Sequence, residues 1–444
     1  MSEDTVFALS SPVGGAIAIA RITGSGAYAA LGRVFRCKNA PEHRVMNYGH
    51  VIDPESGETI DSAMACFLKA PATYTGEDMA EIYIHGSRVI AKRTLSVLSR
   101  FLRPAEGGEF TKRAFMNGKL DLSQAEAVMD VISSVTEQGA RMAEEQLAGS
   151  IGSGIKDIED RLIDILSGVE AALDYPEELE EDTVSALGSE LAPVIDKLDY
   201  LIRGGNAARI FREGASVAIL GAPNAGKSSL FNALMGTERA IVTAIPGTTR
   251  DTLEETLDIC GAPVRITDTA GIREGADEAE RIGVERARKA GERADLILIA
   301  IDGMKPIDEE SRALINAAKR GEYRKCLILF TKADKQGFGT DESCAEFAPI
   351  SISSVTGEGL DALKERMAAL LLTKEAESAL VTNSRHIHAL AEAKAALETA
   401  DAAMGTDLAA ADIRTALYAL GQITGREVTS DVIERIFSRF CVGK

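Results

Sequence analysis

One stretch near the middle of the chain restricts the fold more than any other. Residues 221–228 read GAPNAGKS, a G-x-x-x-x-G-K-S pattern that directly follows the apolar segment SVAIL. The apolar segment has the length of a buried strand, and an amphipathic helical pattern follows the loop. Such a phosphate-binding loop (P-loop) surrounds phosphates with backbone amides at a helix N-terminus, and its lysine reaches the terminal phosphates. The sequence therefore predicts a strand–P-loop–helix unit in an α/β domain.

Strand and helix patterns alternate around this unit. Four further segments carry apolar strands, namely VRITDTAG, ADLILIAID, CLILFTKAD and FAPISISS. Near-continuous apolar strands, each followed by a helical stretch, are typical of a parallel sheet that is covered on both faces. We predict an inserted α/β P-loop domain of Ras-like type, with a mostly parallel sheet, at residues 212–374.

Two motifs after the P-loop predict a metal–phosphate site. PGTTRD (246–251) places Thr248 and Thr249 in a loop where a hydroxyl can join Ser228 on Mg²⁺. DTAG (268–271) closes a strand, with Asp268 near the metal and the Gly271 amide available to the γ-phosphate. Together with the P-loop, these motifs indicate a nucleoside triphosphatase.

A third motif predicts that the base is guanine. Asp334 of TKAD (331–334) can accept from two N–H groups of guanine, whereas adenine would leave that buried carboxylate unpaired. Thr331 stands where Asn is usual, which weakens one base contact without removing the carboxylate. Ser353 and Ser354 fit a final base-contacting loop. The predicted GTP-binding residues are Asn224, Ala225, Gly226, Lys227, Ser228, Ser229, Thr243, Ala244, Ile245, Pro246, Gly247, Thr248, Thr249, Asp268, Thr269, Ala270, Gly271, Thr331, Lys332, Asp334, Ser353 and Ser354.

The residue that orients the attacking water is open at this point. Ras-type enzymes use a Gln just after the third motif, but Ile272 occupies that position and cannot polarise water. Five carboxylates follow, and their spacing does not choose among them. They are Glu274, Asp277, Glu278, Glu280 and Glu285.

The rest of the chain predicts two further kinds of domain. Residues 1–119 mix short β-rich stretches with one helical pattern, which indicates an α+β domain. Residues 120–211 and 375–444 are helical in pattern, so we expect an all-α domain interrupted by the α/β insertion. In its first half, apolar residues from Ile158 to Leu173 form one helix face, and Pro176 ends that helix.

Charge and cysteine usage bear on partners and location. The net charge is −19, and residues 121–210 hold 20 acidic and 6 basic side chains, so we expect RNA to avoid that segment. Glu3 and Asp4 stand where a secretory signal would be positive, and the six cysteines are scattered, which favours a reducing, cytoplasmic location. A ribosome-assembly GTPase of the Era or Der kind is the alternative, although residues 375–444 are acidic rather than basic. The cysteine near the C-terminus suggests a membrane-linked GTPase as a second alternative, but no polybasic stretch or apolar anchor accompanies that cysteine.

Several long segments resemble the MnmE (TrmE) family of tRNA-modification GTPases. They are YTGEDMAEIYIHG (74–86), GEFTKRAFMNGKLDLSQAEAV (108–128), DYPEE (174–178), GAPNAGKSSLFNAL (221–234), PGTTRDTLEE (246–255), DTAGIRE (268–274) and the terminal CVGK. The resemblance covers essentially the whole chain. It implies a K⁺-dependent GTPase in which Lys227 and a water-orienting Glu280 are catalytic, and in which Ser228 and Thr249 bind Mg²⁺. The implied K⁺ ligands are Asn224, Thr243, Ile245 and Thr248.

The resemblance also assigns the N-terminal domain and the tail. It implies a homodimer that binds 5-formyl- or methylene-tetrahydrofolate through Arg21, Glu81, Lys119 and Lys444, with the Cys441 thiol near the one-carbon unit. The tail is expected to reach the folate cleft across the dimer interface. With an FAD-containing, MnmG (GidA)-like partner, in a heterotetramer or larger complex, such proteins modify carbon 5 of the wobble uridine of tRNA. FAD enters only through that partner.

Overall fold

The computed structural model describes residues 4–237, 256–267, 294–377, 379–400, 405–438 and 440–443. Contacts divide the chain into two compact units. The first holds the described residues up to Met129 and from Gly421 onward, and the second holds those between. The domain boundaries predicted at residues 119, 211 and 374 stay a prediction.

The first unit is built on one mixed sheet, ordered β3-β4-β5-β6-β2-β1-β7 in the described residues. Its strands are β1 Val6–Leu9, β2 Ile17–Thr23, β3 Phe35–Cys37, β4 Met46–Ile52, β5 Thr59–Leu68, β6 Met79–His85 and β7 Arg103–Pro104. All neighbours pair antiparallel except β1 and β7. Its helices are α1 Ala27–Val34, α2 Arg88–Leu98 and α3 Glu109–Met116.

The two faces of this sheet differ, as the alternating sequence requires. Ala18, Ala20 and Ile22 of β2 are fully buried and share a core with α1 and α2, whereas Arg21 lies on the other face. The sequence predicted a single helix here, and α1 and α3 correct that count. Each has eight residues, which is too short for a clear period, and neither has a side-chain N-cap.

The second unit contains the predicted α/β sheet, ordered β13-β12-β11-β8-β10-β9. Its strands are β8 Ala215–Leu220, β9 Thr256–Ile259, β10 Ala262–Thr267, β11 Leu296–Asp302, β12 Cys326–Thr331 and β13 Ile350–Ser351. Only β9 and β10 pair antiparallel, which confirms the mostly parallel prediction. Along β11, Leu296 and Leu298 pack into one core while Ile297 and Ile299 pack into another, so both faces are covered.

The remaining elements of secondary structure in the described chain are helices. They are α4 Leu122–Ser133, α5 Glu137–Leu147, α6 Ser150–Asp174, α7 Pro176–Glu213, α8 Lys227–Thr237, α9 Glu309–Lys319, α10 Leu360–Leu371, α11 Lys374–Glu377, α12 Ser384–Thr399, α13 Thr406–Thr424 and α14 Ser430–Phe437, with a 3₁₀ turn at Glu342–Phe347. No helix in the described part of the chain is long and apolar enough to cross a membrane.

Helix α6 confirms the predicted apolar helix face with one exception. Ile158, Leu162, Ile165 and Val169 are buried, but Leu173 is 39% exposed and Ala172 takes the next buried position. The prediction for Leu173 was wrong because, at 3.6 residues per turn, the stripe passes through position 172. Helix α6 ends at Asp174 and Pro176 opens α7, where a missing N–H costs nothing.

Candidate functional site

The P-loop leaves the end of β8 in a conformation that its sequence requires. At Gly221 a Cβ atom would lie 2.2 Å from the Ala300 carbonyl oxygen, so only glycine allows the loop to pass β11. Asn224 has φ 64° and Gly226 has φ +85°. Asn and Gly are the residues that accept such left-handed backbone most readily. The loop therefore turns sharply into the first residue of α8, Lys227.

Cationic and hydroxyl groups gather at this helix N-terminus. The Lys227 Nζ donates to the carbonyl oxygens of Gly221 (2.6 Å) and Ala222 (2.9 Å). Ser228 and Ser229 are exposed in the first turn of α8, as is Asn224 in the loop. A helix N-terminus with its dipole and a nearby ammonium together favour a polyphosphate anion.

The end of β12 lies against the P-loop. Thr331 is 2% exposed, and its hydroxyl donates to the Ala225 carbonyl oxygen at 2.8 Å. The next residue, Lys332, has φ 69° and forms a 2.7 Å ion pair with Asp302 at the end of β11. Burial alone would raise the pKa of Asp302, but the hydrogen bond and charge of Lys332 and the hydrogen bond from the Met304 amide together outweigh it and hold that pKa below its usual value. Two neighbouring strand ends are thus tied together beside the loop.

The predicted base-reading carboxylate is oriented by a serine. The Ser353 hydroxyl donates to Asp334 Oδ1 at 2.8 Å, and Ser353 is itself fully buried. Lys335 contacts the other oxygen at 3.1 Å. The Ser353 hydrogen bond and the Lys335 ammonium lower the pKa of Asp334, so the carboxylate stays ionised and able to accept. Ser354 is half-buried beside this pair.

Part of the predicted site lies outside the described residues. This holds for Thr243, Ala244, Ile245, Pro246, Gly247, Thr248, Thr249, Asp268, Thr269, Ala270, Gly271, Glu280 and Lys444. Their assignments stay predictions.

The open face of the N-terminal sheet carries a second polar cluster. Strand register places Arg21 of β2 directly opposite Glu81 of β6, and their side chains pair at 2.8 Å. The Tyr83 hydroxyl donates to the second Glu81 oxygen at 2.5 Å. The Arg21 guanidinium also lies 5.9 Å from the centre of the Phe110 ring. Burial, and then the hydrogen bond to Glu81, raises the pKa of Tyr83 to about 12.

Sequence reasoning did not find Tyr83 or Phe110. The period-2 alternation of MAEIYIH puts Tyr83 on the same face as Glu81, so that signal was present. Phe110 belongs to α3, and only the packing of that helix brings its ring near Arg21. Lys119 is exposed in the turn after α3, where its Nζ donates to the Pro71 carbonyl oxygen at 3.2 Å.

The C-terminal tail contacts the segments that follow β7 and β1 of the N-terminal sheet. Val442 forms an antiparallel bridge with Gly107, and the Gly108 amide donates to the Cys441 carbonyl oxygen at 3.2 Å. The Ser10 hydroxyl donates to the Gly443 carbonyl oxygen at 3.0 Å, just beyond β1. Strand β1 neighbours β2, which carries Arg21. These contacts lie within one chain, and the expected approach of the tail to a folate cleft across a dimer interface stays a prediction.

The parallel sheet, its P-loop and the Asp334–Ser353 pair define a P-loop GTPase domain, here joined to a helical part and an N-terminal α+β part. The residue pattern described as "GTP-binding protein TrmE N-terminus" matches residues 5–119, and that of the "MnmE helical domain" matches residues 122–441. The chain belongs to the MnmE (TrmE) family of GTPases.

Full-length relatives agree with this membership. A protein of Natranaerobius thermophilus named "tRNA modification GTPase MnmE" is 39% identical, with 100% of both chains covered. Its namesake from Thermus thermophilus is 42% identical over 100% of this chain and 99% of its own. The Geobacillus kaustophilus protein is 41% identical over 99% of each chain. Matches of this extent favour the MnmE family over the Era- or Der-type alternative.

Proposed function

We propose that this GTPase acts with an FAD-containing, MnmG-like partner to modify carbon 5 of the wobble uridine of tRNA, giving an aminomethyl-type side chain. A folate supplies the one-carbon unit, and GTP hydrolysis drives conformational cycling. The observation that carries the proposal is the full-length similarity to proteins named tRNA modification GTPases. The polar cluster on the N-terminal sheet supports a second ligand besides GTP.

The nucleotide site suits Mg²⁺–GTP. The ammonium of Lys227 lies at the helix N-terminus, where it can bind the terminal phosphates. The Asp334 carboxylate, oriented by Ser353, accepts hydrogen bonds from the guanine N–H groups. The exposed hydroxyl of Ser228 is a hard oxygen donor of the kind that Mg²⁺ prefers. Ser228 would hold the ion with Thr249, and Mg²⁺ would neutralise charge on the phosphates.

We also propose that K⁺ binds beside the nucleotide. The side-chain oxygen of Asn224 is exposed on a left-handed turn of the P-loop and is a suitable donor for a monovalent cation. The further proposed ligands are Thr243, Ile245 and Thr248. Such a cation supplies positive charge where an arginine finger otherwise would. Glu280 is the proposed water-orienting base.

The Arg21–Glu81 pair suits a folate. A carboxylate has about four lone-pair positions, so Glu81 can keep its contacts with Arg21 and Tyr83 and still accept from the N–H groups of a pterin. The guanidinium of Arg21 and the ammonium of Lys119 suit the pterin oxygen or the glutamate carboxylates. Lys444 and the Cys441 thiol are proposed to approach from the tail.

A homodimer is proposed through the N-terminal domain. The open face of its sheet exposes large apolar side chains on strands β4, β5 and β2. They include Met46 and Tyr48 of β4, Met64 of β5 and Ile17 of β2, at 43%, 68%, 44% and 61% exposure. Contiguous apolar side chains on a sheet face indicate a protein contact. The assembly with the MnmG-like partner and a cytoplasmic location belong to the same proposal.

Mass spectrometry of tRNA nucleosides from a deletion strain tests the function. Loss of the modified wobble uridine, restored by the wild-type gene, is expected. The deletion strain complemented with the E81Q variant should stay deficient in the modified uridine. Complementation with E55Q, a variant at an exposed residue of the same domain, should restore the modification. Unaltered wobble uridines in the deletion strain would refute the tRNA role.

Two assays on the purified protein test the remaining parts. GTP hydrolysis should be faster in KCl than in NaCl, and equal rates would exclude the K⁺ proposal. Removal of residues 441–444 should abolish tRNA modification while GTP hydrolysis continues. If hydrolysis is lost instead, the tail does not serve the folate site.

A further inference from the structure

We infer that a group of cations beside the N-terminal sheet binds the γ-linked glutamate tail of a polyglutamylated folate, an inference that rests on the folate site proposed above. The group consists of Arg44, Lys69 and Lys119 and is called the cationic rim. Its role is to make the protein prefer the polyglutamylated form of that folate over the monoglutamate.

The three cations of the rim meet at one exposed loop, residues 69–72. Lys69 is the first residue of this loop and directly follows β5. Arg44 Nη2 donates to the Ala72 carbonyl oxygen at 2.9 Å, and Lys119 Nζ donates to the Pro71 carbonyl oxygen at 3.2 Å. Segments that are distant in sequence thus bring three positive charges to the same short stretch of chain.

The rim differs from other cations of the first unit in its partners. Arg93, Arg100 and Arg103 each form an ion pair with a carboxylate at 2.7–2.9 Å. Within the described ranges, no carboxylate forms such a pair with the rim, and the contacts above are to neutral carbonyls. The rim therefore keeps its positive charge for an anionic ligand, although the chain as a whole carries −19.

The loop is held in place by its own hydrogen bonds. The Ala70 amide donates to Asp78 Oδ1 at 2.8 Å, and the Lys69 amide donates to His43 Nδ1 at 2.9 Å. Since Nδ1 accepts, the ring proton of His43 is on Nε2, and this exposed imidazole can donate to an anion as well. A loop that is already ordered loses little entropy when a ligand binds.

The rim lies at a suitable distance from the pair proposed to hold the pterin. Strand register places Cys66 opposite Glu81 and Met46 opposite Cys66, and Arg44 precedes Met46 by two residues. Two strand spacings amount to about 10 Å. Burial and then the Glu81 charge raise the pKa of the Cys66 thiol, whereas the Arg44 charge lowers it, so both charges act on this thiol. In a folate the p-aminobenzoyl group separates the pterin from the glutamates, so the two ends need two such sites.

Tyr74 connects the two parts of this surface. It follows Ala72 by two residues and is 37% exposed. Burial raises the pKa of Tyr74, whereas the hydrogen bond with Thr111 and the charge of Arg21 lower it, which places its hydroxyl near Arg21. An exposed ring in this position is available to the p-aminobenzoyl ring of the ligand.

The number of cations explains the preference for a longer tail. Each added γ-linked glutamate contributes one further carboxylate, and each carboxylate can form a charge-assisted hydrogen bond with an ammonium or a guanidinium. Exposed ion pairs are individually weak, so the tail gains affinity only by contacting several cations together.

The experiment compares the monoglutamate of 5-formyl-tetrahydrofolate with its triglutamate. Dissociation constants are measured by isothermal titration calorimetry on the full-length protein at low ionic strength. We expect wild type to bind the triglutamate about tenfold more tightly than the monoglutamate. In the double variant R44Q/K69Q, which keeps polar side chains but removes both charges, the two constants should agree within about twofold. High salt should reduce the wild-type preference in the same way.

A double variant on the other side of the sheet is the matched control. Arg88 and Lys92 are exposed on α2, which packs against the covered face, and neither forms an ion pair with another described residue. R88Q/K92Q removes the same charge and should keep the full preference for the triglutamate. Thermal unfolding shows whether each variant is folded, and K69Q alone replaces the double variant if R44Q/K69Q is not.

The other outcomes decide against the rim and separate it from the folate site itself. Equal binding of both folates by wild type, an intact preference in R44Q/K69Q, or equal losses in both double variants would each overturn the inference. Weaker tRNA binding by R44Q/K69Q with an intact folate preference would assign the rim to RNA instead. If wild type binds neither folate, or if E81Q binds the monoglutamate as wild type does, the proposed folate site is wrong and the inference is lost with it.

Discussion

In the parallel sheet of the second unit the polar groups of the site lie at or just beyond the ends of the strands, whereas in the N-terminal sheet they lie in the middle of the strands. Lys227 follows the loop after β8, and Thr331 and Asp302 are the last residues of β12 and β11. Arg21 and Glu81 lie in the middle of β2 and β6.

The difference follows from which faces are covered. Both faces of the parallel sheet are buried, so a charge on a strand would lack water and a partner, and the loops at the strand ends carry the chemistry. The N-terminal sheet has one open face, and alternate residues there are free to be polar. A loop site can be built from one contiguous motif, but a sheet-face site needs residues from separate strands in register.

The largest effect is expected at the loop site. K227A removes the ammonium from the helix N-terminus, so kcat/KM for GTP should fall by about a hundredfold or more. K319A is the matched control, because Lys319 at the end of α9 pairs with Glu346 of the 3₁₀ turn, and its loss should leave the rate unchanged. A GTPase rate in K227A that equals wild type would contradict the assignment of the P-loop.

A core substitution tests whether the two sheets differ in burial. Leu298 is fully buried on β11, so L298A should lower the free energy of unfolding by about 2–5 kcal/mol. Tyr48 is 68% exposed on the N-terminal sheet, and Y48A should change it by less than about 0.5 kcal/mol in the monomer. Urea unfolding followed by circular dichroism measures both. Similar costs would mean that the open face is covered.

Two arginines of the first unit allow the loss of a buried ion pair to be compared with the loss of an exposed one. Arg113 is 7% exposed at its side chain and pairs with Asp4, Glu77 and Glu109. Asp4 and Glu109 also pair with Arg103, so R113A should cost about 3 kcal/mol chiefly by removing the cation from the largely buried Glu77. R100A breaks an exposed pair with Asp53 and should leave the unfolding midpoint unshifted. The same urea series applies, and an equal loss in both variants would count against this contrast.

The smallest expected effect is the contribution of the raised Tyr83 pKa to stability, which a pH titration measures. Tyr83 should ionise at about pH 12 by ultraviolet absorbance, above the value of 10.0 for an unperturbed tyrosine. Since its pKa is raised in the folded state, the tyrosine proton stabilises the fold fully below pH 10, and this contribution is lost as the pH rises towards 12.

The control for this titration uses the partner of Tyr83. E81Q removes the negative charge and should lower the Tyr83 pKa, although burial still holds it above the usual value. Y83F should remove the Tyr83 part of the high-pH transition and leave that of Tyr74, whose pKa burial also raises. If E81Q leaves the transition in place, Glu81 does not perturb Tyr83.

Prediction from sequence succeeded where the physics is local. The apolar runs of β8, β11 and β12 predicted buried parallel strands, and the structure confirms them. GAPNAGKS needs glycine at position 221 for a close approach and at position 226 for a left-handed turn, and both constraints can be read from the motif. The short helices α1 and α3 were missed because eight residues leave too few turns for a pattern.

The sequence by itself determined the P-loop, the parallel α/β sheet and the choice of guanine, because each can be read from short contiguous motifs or apolar runs. Only the tertiary structure decided that Thr331 supports the P-loop, that Tyr83 shares Glu81 with Arg21, and that residues 441–443 lie against residues 107–108 and Ser10. Those contacts join residues that are distant in sequence. Strand register and packing alone determine which of many possible partners meet.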